Sequence, residues 1–338
     1  MSQHVDSPRS IAVIGAGFHA TTNILPSCVR AGLAIDAIAT RDARRSADAL
    51  QRFGSTGRAF GSAEALLAEA GVASVVVVAQ PRDQAALALL AIRAGKNVFV
   101  DKPLGWTADE ARRISDEADA RGVTLMVGFM KRYAPAYEQL QELVANGELG
   151  RLRSFHLAFG CDSTPFCADA EEFIKLAAIH VIDLVRWLFG EVVDVTVASN
   201  GSGNHVALAI LLRFESGVVG TLDLSGLPGY SSESEHLRVS GDEGYAIVED
   251  LVSLTVHRTA PDDQPSWKHL TERTTVFTPA ESAMSGTDRD LYLRGFVGEM
   301  AHFADAVETG TPPRSSGRDN VLTMALCDRI VQNPHTGD

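Results

Sequence analysis

A glycine-rich hexapeptide near the start of the chain, GAGFHA, has the spacing of a dinucleotide-binding turn. It follows the apolar run IAVIG directly and precedes a segment typical of a helix. Glycines at its first two positions permit a tight turn and a close approach of the backbone to a pyrophosphate, which then lies at the positive end of the helix. We therefore predict that the motif binds a nicotinamide dinucleotide through Gly15, Gly17, Phe18, His19 and Ala20.

The end of the second strand-like run indicates which nicotinamide dinucleotide fits. The run IDAIA is followed by Thr40 and Arg41. An acid at this place would bind both ribose hydroxyls of NAD, whereas arginine offers a charged fork to the 2'-phosphate of NADP. We expect NADP, with NAD as the second choice. Two alternatives stay open: Asp42 is the NAD-type acid displaced along the chain, or Arg41 only points to solvent.

Lys102 is the candidate for proton transfer. It follows the run NVFV and Asp101, and Pro103 comes next. Ligands bind at the carboxyl ends of the strands of an open parallel sheet, so we expect Lys102 at the mouth of the cofactor crevice. The proline fixes the chain direction, and cis peptide bonds occur almost only before proline. A partly desolvated ammonium can exchange a proton with a substrate hydroxyl; an exposed, solvated lysine is the alternative.

Short apolar runs that alternate with helical patterns must position these residues. The strand-like runs are 11–15, 35–39, 74–79, 97–100 and 124–127, and helical patterns cover 62–70, 83–94 and 107–121. This order predicts a parallel sheet with helices on both faces. Residues 75–78 are apolar without alternation, as in a central strand. We predict an α/β Rossmann domain with a doubly wound parallel sheet over residues 1–127.

After Val127 the pattern changes to helices followed by consecutive strands. Helical patterns cover 134–146 and 171–189, strand-like runs cover 192–199, 206–214, 218–225, 236–241 and 245–250, and two more helical patterns cover 293–308 and 317–332. Strands joined by short turns predict antiparallel pairing. We predict an α+β domain over 128–338, with a large open, mainly antiparallel sheet, for substrate binding and oligomerisation.

Composition limits the class of protein. At 338 residues with 45% hydrophobic residues, the chain is long enough for two domains. The net charge of −13 leaves no basic stripe for nucleic acid. The four cysteines are scattered without metal spacing, and no apolar run approaches the roughly 20 residues of a membrane span. We therefore expect a cytoplasmic protein with no metal, no nucleic-acid partner and no membrane contact.

Five segments, in order along the chain, resemble the glucose-fructose oxidoreductase and inositol dehydrogenase family, called Gfo/Idh/MocA. They are GAGFHA, Gln80-Pro81, AGKNVFVDKPL (94–104), GFMKRYAPAY (128–137) and IHVIDLVRWLFG (179–190). The resemblance spans nearly the whole chain. It implies that Lys102 is the catalytic lysine of the family's E-K-P motif, with Asp101 in place of the glutamate. It also implies that His180 and Asp183 form the family's H-x-x-D pattern, in which the histidine assists proton transfer.

The same resemblance assigns further site residues. Gln80, Pro81, Asp101 and Lys102 fall among the cofactor-binding positions. Lys102, Met130, Lys131, His180 and Asp183 fall among the substrate-facing positions, where Lys131 would contact sugar hydroxyls. Arg132 and Tyr133 match positions that pack or pair structurally.

One departure concerns the residue one helical turn before the histidine. Many family dehydrogenases have an aspartate there, and this chain has Leu176. The proton relay is then simpler, uses Lys175 or Glu172, or serves another substrate geometry. The change keeps open a catalytically silent, dinucleotide-binding regulator.

The resemblance therefore implies a nicotinamide-dependent oxidoreductase, and Thr40 and Arg41 lead us to expect that it uses NADP(H). Its expected substrate is a secondary alcohol or ketone of a sugar, nucleotide sugar or cyclitol, and we expect a ketosugar reductase. A dehydrogenase for a non-sugar substrate, such as a dihydrodiol or an imine, is the alternative beside the silent regulator. Family sheets pack face to face, so a homodimer or homotetramer is expected.

Overall fold

The structure, a computed structural model, describes residues 9–258, 274–280 and 288–333. The chain divides into two compact units, Met1–Tyr133 with Gly295–Asp328, and Ala134–Arg294 with Arg329–Asp338. Segment 295–328 therefore belongs to the first unit, whereas the sequence-based boundary grouped it with the second domain. The functional domains 1–127 and 128–338 stay a prediction.

The first unit contains a six-stranded sheet in which every neighbouring pair is parallel. The strands are β1 (Ser10–Ile14), β2 (Ala34–Ala39), β3 (Arg58–Phe60), β4 (Ser74–Val77), β5 (Asn97–Asp101) and β6 (Leu125–Gly128). Their order, β3-β2-β1-β4-β5-β6, is that of a dinucleotide-binding Rossmann sheet. The strand order reverses between β1 and β4, which is where such sheets bind ligands. The predicted doubly wound parallel fold is confirmed.

Helices connect the strands of the first unit, and those that follow Asp42, Ser62 and Thr107 begin at a side chain that accepts a backbone N–H. The helices are α1 (Leu25–Arg30), α2 (Ala43–Arg52), α3 (Ala63–Glu69), α4 (Pro81–Arg93) and α5 (Ala108–Arg121). Ser62 caps α3 and Thr107 caps α5, which ends at the left-handed Gly122. A π-helical turn, Ala20–Ile24, precedes α1. A 3-10 turn, Met130–Tyr133, follows β6.

The second unit contains an eight-stranded sheet in the order β14-β13-β12-β11-β7-β10-β9-β8. The strands are β7 (Leu152–Cys161), β8 (Val192–Ser199), β9 (Val206–Phe214), β10 (Val219–Gly226), β11 (Ser234–Gly241), β12 (Gly244–Glu249), β13 (Ser253–Arg258) and β14 (Thr274–Phe277). β7 and β10 pair in parallel, and the other neighbours are antiparallel. The expected large, mainly antiparallel sheet is confirmed.

The helices after β6 divide between the two units. The second unit contains α6 (Pro135–Ala145), α7 (Ala170–Phe173), α8 (Ile179–Phe189) and α9 (Arg289–Leu293), whereas α10 (Phe296–Thr309) and α11 (Gly317–Gln332) up to residue 328 belong to the first unit. Phe189 of α8 stacks on Phe155 of β7 with ring centroids 4.7 Å apart, and it meets the ring of Phe214 edge-on. The core of the second unit therefore lies between α8 and the inner face of the sheet.

Along the described stretches of chain, no helix combines the length and apolarity that a membrane span requires. The cytoplasmic location stays a prediction.

Candidate active site

The turn after β1 requires a glycine at its first position. Gly15 has a φ of +106°, and a Cβ there would overlap the backbone oxygen of Val78. Its N–H donates to the carbonyl of Ala39 at 2.8 Å, which fixes the turn between three neighbouring strand ends. Gly17 differs, because a Cβ at this position would meet no atom of the described residues within 4 Å. The fold demands Gly15, whereas Gly17 leaves open space of the kind that a pyrophosphate needs beside the backbone.

In the loop after β2, the side chains of Thr40 and Asp42 form hydrogen bonds with the backbone of the same loop and of α2. Asp42 caps α2, because its side chain accepts the N–H of Arg44 at 2.9 Å. The Thr40 hydroxyl accepts the N–H of Asp42 at 3.1 Å and donates to its carbonyl at 2.6 Å. Arg41 is exposed at the carboxyl edge of the sheet, as are Arg44 and Arg45 on the first turn of α2. The loop therefore presents guanidinium groups outward while the carboxylate of Asp42 is bound to its own helix.

Lys102 emerges from the carboxyl end of β5, as predicted. The structure places it half-buried, and its peptide bond to Pro103 is cis. The preceding Asp101 approaches the cofactor motif, since its Oδ2 lies 3.6 Å from Nε2 of His19. Nδ1 of His19 is 3.0 Å from the amide nitrogen of Asn23, which orients the ring. The residues that sequence reasoning assigned to the cofactor turn and to the Lys102 segment are thus brought together.

Gln84 was missed by sequence reasoning, and it contacts the backbone on both sides of Lys102. Gln80 is the N-cap of α4 and Pro81 is its first residue, which places Gln84 in the first turn. Its amide nitrogen donates to the carbonyls of Asp101 and Lys102 at 3.1 and 3.2 Å. The available signal was a glutamine at helical spacing from buried Ala88 and Ala91, on the apolar face of α4.

Glu299 of α10 was missed as well. It is completely buried, and its Oε2 has no hydrogen-bond partner among the described residues. Burial, followed by the charge of Asp101, raises the pKa of the Glu299 carboxyl well above its usual value. The environment of Glu299 therefore favours the neutral form of its carboxyl, near the segment that carries Lys102. An acid within the apolar stripe of Phe296, Met300 and Phe303 was the signal that could have found it.

The turn after β6 is held by its own side chains. Met130 and Lys131 are both buried. Arg132 donates to the carbonyl of Arg314 at 2.7 Å and pairs with Asp319, and the hydroxyl of Tyr133 lies 3.2 Å from that of Ser315. Arg132 and Tyr133 have the structural contacts expected of them. The substrate contacts of Met130 and Lys131 stay predictions.

His180 and Asp183 lie on the first turns of α8 in the second unit; Asp183 is buried and His180 is half-buried. The residues before α8 form a π-helical turn, Ile174–Ala178. A π-helix repeats after five residues rather than four, so Lys175 as well as Leu176 stands about one turn before His180.

The two residues considered as substitutes for the family aspartate have partners in the second unit. Glu172 accepts the N–H of Ala168 at 2.9 Å. Lys175 is buried and pairs with Glu171 at 2.9 Å. Of the two residues about one turn before His180, Lys175 is therefore charged and Leu176 is apolar. The Glu172 carboxylate instead binds a backbone N–H just before α7.

Sequence models of known families match both parts of the chain. One, described as an oxidoreductase family with an NAD-binding Rossmann fold, matches residues 9–129. The other, the GFO/IDH/MocA C-terminal domain, matches residues 137–247. The chain belongs to the Gfo/Idh/MocA oxidoreductase family. The predicted nicotinamide-dependent oxidoreductase is thereby confirmed.

Relatives of this Gfo/Idh/MocA protein extend over its length. D-apiose dehydrogenase of Paraburkholderia graminis is 28% identical over 96% of this chain and 88% of its own. D-xylose 1-dehydrogenase (NADP(+)) 2 of Haloferax volcanii is 28% identical over 96% of this chain and 97% of its own. A solved levoglucosan dehydrogenase with NADH and levoglucosan has a TM-score of 0.82 at 21% identity, covering 96% of both chains. This last likeness concerns the fold.

The residues of the first unit fit the dinucleotide that a Gfo/Idh/MocA oxidoreductase uses. Gly15 forms the turn, and Gly17 leaves space beside the backbone. Lys102 follows directly after the end of β5. Within the described residues there is no group of three or more His, Cys, Asp or Glu side chains that could hold a metal ion.

Proposed function

We propose that this Gfo/Idh/MocA protein is an NADP(H)-dependent oxidoreductase acting on a secondary alcohol or ketone of a sugar, nucleotide sugar or cyclitol, and that it works as a ketosugar reductase. The observation that carries the proposal is the approach of Asp101, the residue before Lys102, to His19 of the cofactor motif. This contact supports a position of Lys102 close to the turn that we propose binds the dinucleotide. Relatives named for apiose and xylose support the substrate class.

In the proposed reduction, Lys102 supplies the proton. The bound nicotinamide would supply hydride to the substrate's carbonyl carbon. The Lys102 ammonium donates its proton to the carbonyl oxygen, which becomes the hydroxyl, and the lysine is left as a neutral amine. We assign to His180 the assisting transfer that returns a proton to the site, and to Asp183 and Lys131 contacts with substrate hydroxyls.

The proposed preference for NADP rests on the loop after β2. Asp42 is committed to capping α2, so it is poorly available to the ribose hydroxyls. Arg41 stands at the end of β2 with its guanidinium exposed, where it can form a charged fork with a 2'-phosphate. The Haloferax volcanii relative is named for NADP(+), which agrees with this choice.

The test begins with titrations of the purified protein with NADPH and NADH, for wild type and Arg41→Ala. NADPH is expected to bind more tightly than NADH to wild type. Arg41→Ala should weaken NADPH binding by about tenfold, because a hydrogen bond to a charged group is lost, and should leave NADH binding unchanged. Arg52→Ala, at the other end of α2, is the matched control. Equal affinities for the two dinucleotides would contradict the NADP assignment.

Turnover is then followed at the nicotinamide absorbance with a panel of keto-sugars and cyclitols. Lys102→Met is expected to lower kcat by about a hundredfold or more, because the proton donor is removed. Lys96→Met is the matched control, since Lys96 stands at the opposite end of β5 and donates to the carbonyl of Val72 at 2.7 Å. Dinucleotide binding without turnover of any compound would favour the silent regulator, and turnover of dihydrodiols or imines alone would favour the non-sugar enzyme.

A further inference from the structure

Gln84 connects two loops at the carboxyl edge of the first-unit sheet. Its side chain is buried, with 1% of its surface exposed. The amide nitrogen lies 3.1, 3.2 and 3.4 Å from the carbonyl oxygens of Asp101, Lys102 and Pro103. The amide oxygen accepts the N–H of Ala79 at 3.3 Å. All the polar atoms of one buried side chain therefore face backbone groups of the two segments that leave β4 and β5.

The segment 101–103 needs such a partner. β5 ends at Asp101, so the carbonyls beyond it leave the strand ladder. Pro103 has no N–H, which removes one of the donors that a turn would otherwise use. An unpaired buried carbonyl is costly, and a glutamine amide provides two N–H groups that can be shared among several acceptors. Gln84 thus replaces the missing backbone donors around Lys102.

The amide oxygen of Gln84 is connected through Ala79 and Val78 to the cofactor turn at Gly15. Ala79 follows Val78, whose N–H donates to the carbonyl of Ile14 at 2.9 Å. The carbonyl of Val78 is the group that leaves no room for a Cβ at Gly15. A continuous set of contacts therefore runs from Gly15 through Val78 and Ala79 to Gln84, and from Gln84 to the backbone of Lys102.

We propose that Gln84 is a positioning residue for Lys102, whose amide fixes the backbone of residues 101–103 against the end of β4 and so holds the lysine in register with the bound dinucleotide. The inference rests on the proposed role of Lys102 in proton transfer. Gln84 itself touches only backbone groups in these contacts. Displacing a reacting group by about 1 Å can cost roughly a hundredfold in rate, so the loss of these hydrogen bonds acts on catalysis before it acts on binding.

Two substitutions remove the donor in different ways. Gln84→Met keeps the length of the side chain and removes both polar atoms. Gln84→Glu keeps the shape and the oxygen that faces Ala79 and replaces the donating NH₂ group. Both are expected to lower kcat by about tenfold to a hundredfold, with a smaller change in NADPH affinity. Ala88→Gly is the matched control, because it weakens α4 one turn further on without touching residues 101–103.

The decisive measurement is a double-mutant cycle with Lys102→Met on the full-length enzyme. If Gln84 acts through Lys102, Gln84→Met lowers kcat by less than about threefold in the Lys102→Met background. Multiplied effects in the double variant, or a kcat loss in Ala88→Gly as large as that in Gln84→Met, would overturn the inference and leave the role of Lys102 intact. A Lys102→Met enzyme with wild-type kcat would instead overturn the proposed function, and the inference with it.

Discussion

The two glycines of the cofactor turn have different surroundings, so we expect one of them to be required by the fold and the other by the ligand. Gly15 is required by the chain itself, since its φ of +106° and the nearby Val78 carbonyl exclude a side chain. Gly17 has open space around it. Among the described residues no neighbour requires glycine at the second position, so we expect the ligand to require it, and this difference can be measured.

We predict opposite behaviour for alanine at the two positions. Gly15→Ala should destabilise the protein by about 1–3 kcal/mol or more, because a strained backbone and a steric overlap are introduced together. Gly17→Ala should keep the wild-type melting temperature and weaken dinucleotide binding by about tenfold. Thermal denaturation and a fluorescence titration with NADPH measure the two effects. A Gly17→Ala protein that binds NADPH as wild type does would place the pyrophosphate elsewhere.

Glu299 gives a prediction about pH. Burial, and then the charge of Asp101, raises the pKa of its carboxyl in the folded state, whereas the unfolded chain has the ordinary value of 4.5. Above that pH the unfolded state releases a proton that the folded state retains. The free energy of unfolding therefore falls as pH rises, by at most about 1.4 kcal/mol per pH unit from this group, until the folded pKa is reached.

Glu299→Gln removes this contribution, because glutamine keeps the shape of the neutral acid. The variant should match wild type near pH 5 and become progressively more stable than wild type toward pH 8. Urea denaturation at several pH values, with the slope of the transition checked at each, measures the difference. A stability difference that is constant over this range would contradict a neutral Glu299 in the folded protein.

Elements show where sequence patterns are sufficient and where they are not. Strands β1, β2, β4, β5 and β6 and the glycine turn follow from the alternation of apolar runs with segments of helical spacing, because strands covered by helices on both faces are apolar throughout. β3 was missed because Arg58–Phe60 has three residues, too few for a pattern. β7 was missed although it has ten residues and its sequence, LRSFHLAFGC, alternates at Phe155, Leu157 and Phe159.

Local geometry explains the gaps in the predicted site. The helix predicted over 171–189 contains a π-helical turn at Ile174–Ala178, which spacing rules for an α-helix do not reveal. Lys175 and Leu176 therefore both lie about one turn before His180, a position that a spacing of four residues assigned to Leu176 alone. Gln84 and Glu299 were missed because their roles depend on residues distant in sequence. Gln84 donates to the backbone of residues 101–103, and the charge of Asp101 acts on the pKa of Glu299.

The whole molecule is expected to associate through the outer face of the eight-stranded sheet. On β9 and β10, alternate side chains point away from the helices, with Leu211 51% and Val219 43% exposed. Eight strands about 4.8 Å apart, with an average length of about seven residues, present roughly 900 Å². Two such faces reach the roughly 1,200–2,000 Å² that stable complexes bury, so a second copy of the chain is the occupant that fits.

A charge on that face should therefore dissociate the assembly. Leu211→Asp places a carboxylate opposite Thr221 on the neighbouring strand and would bury it unpaired between two copies, which is strongly unfavourable. Light scattering after size-exclusion chromatography is expected to give a dimer or tetramer mass for wild type and a monomer mass for Leu211→Asp. Leu322→Asp is the control, because Leu322 is a comparably exposed leucine on α11, 46% accessible. A Leu211→Asp protein that keeps the wild-type mass would exclude this face as the interface, and a monomeric wild type would exclude the association itself.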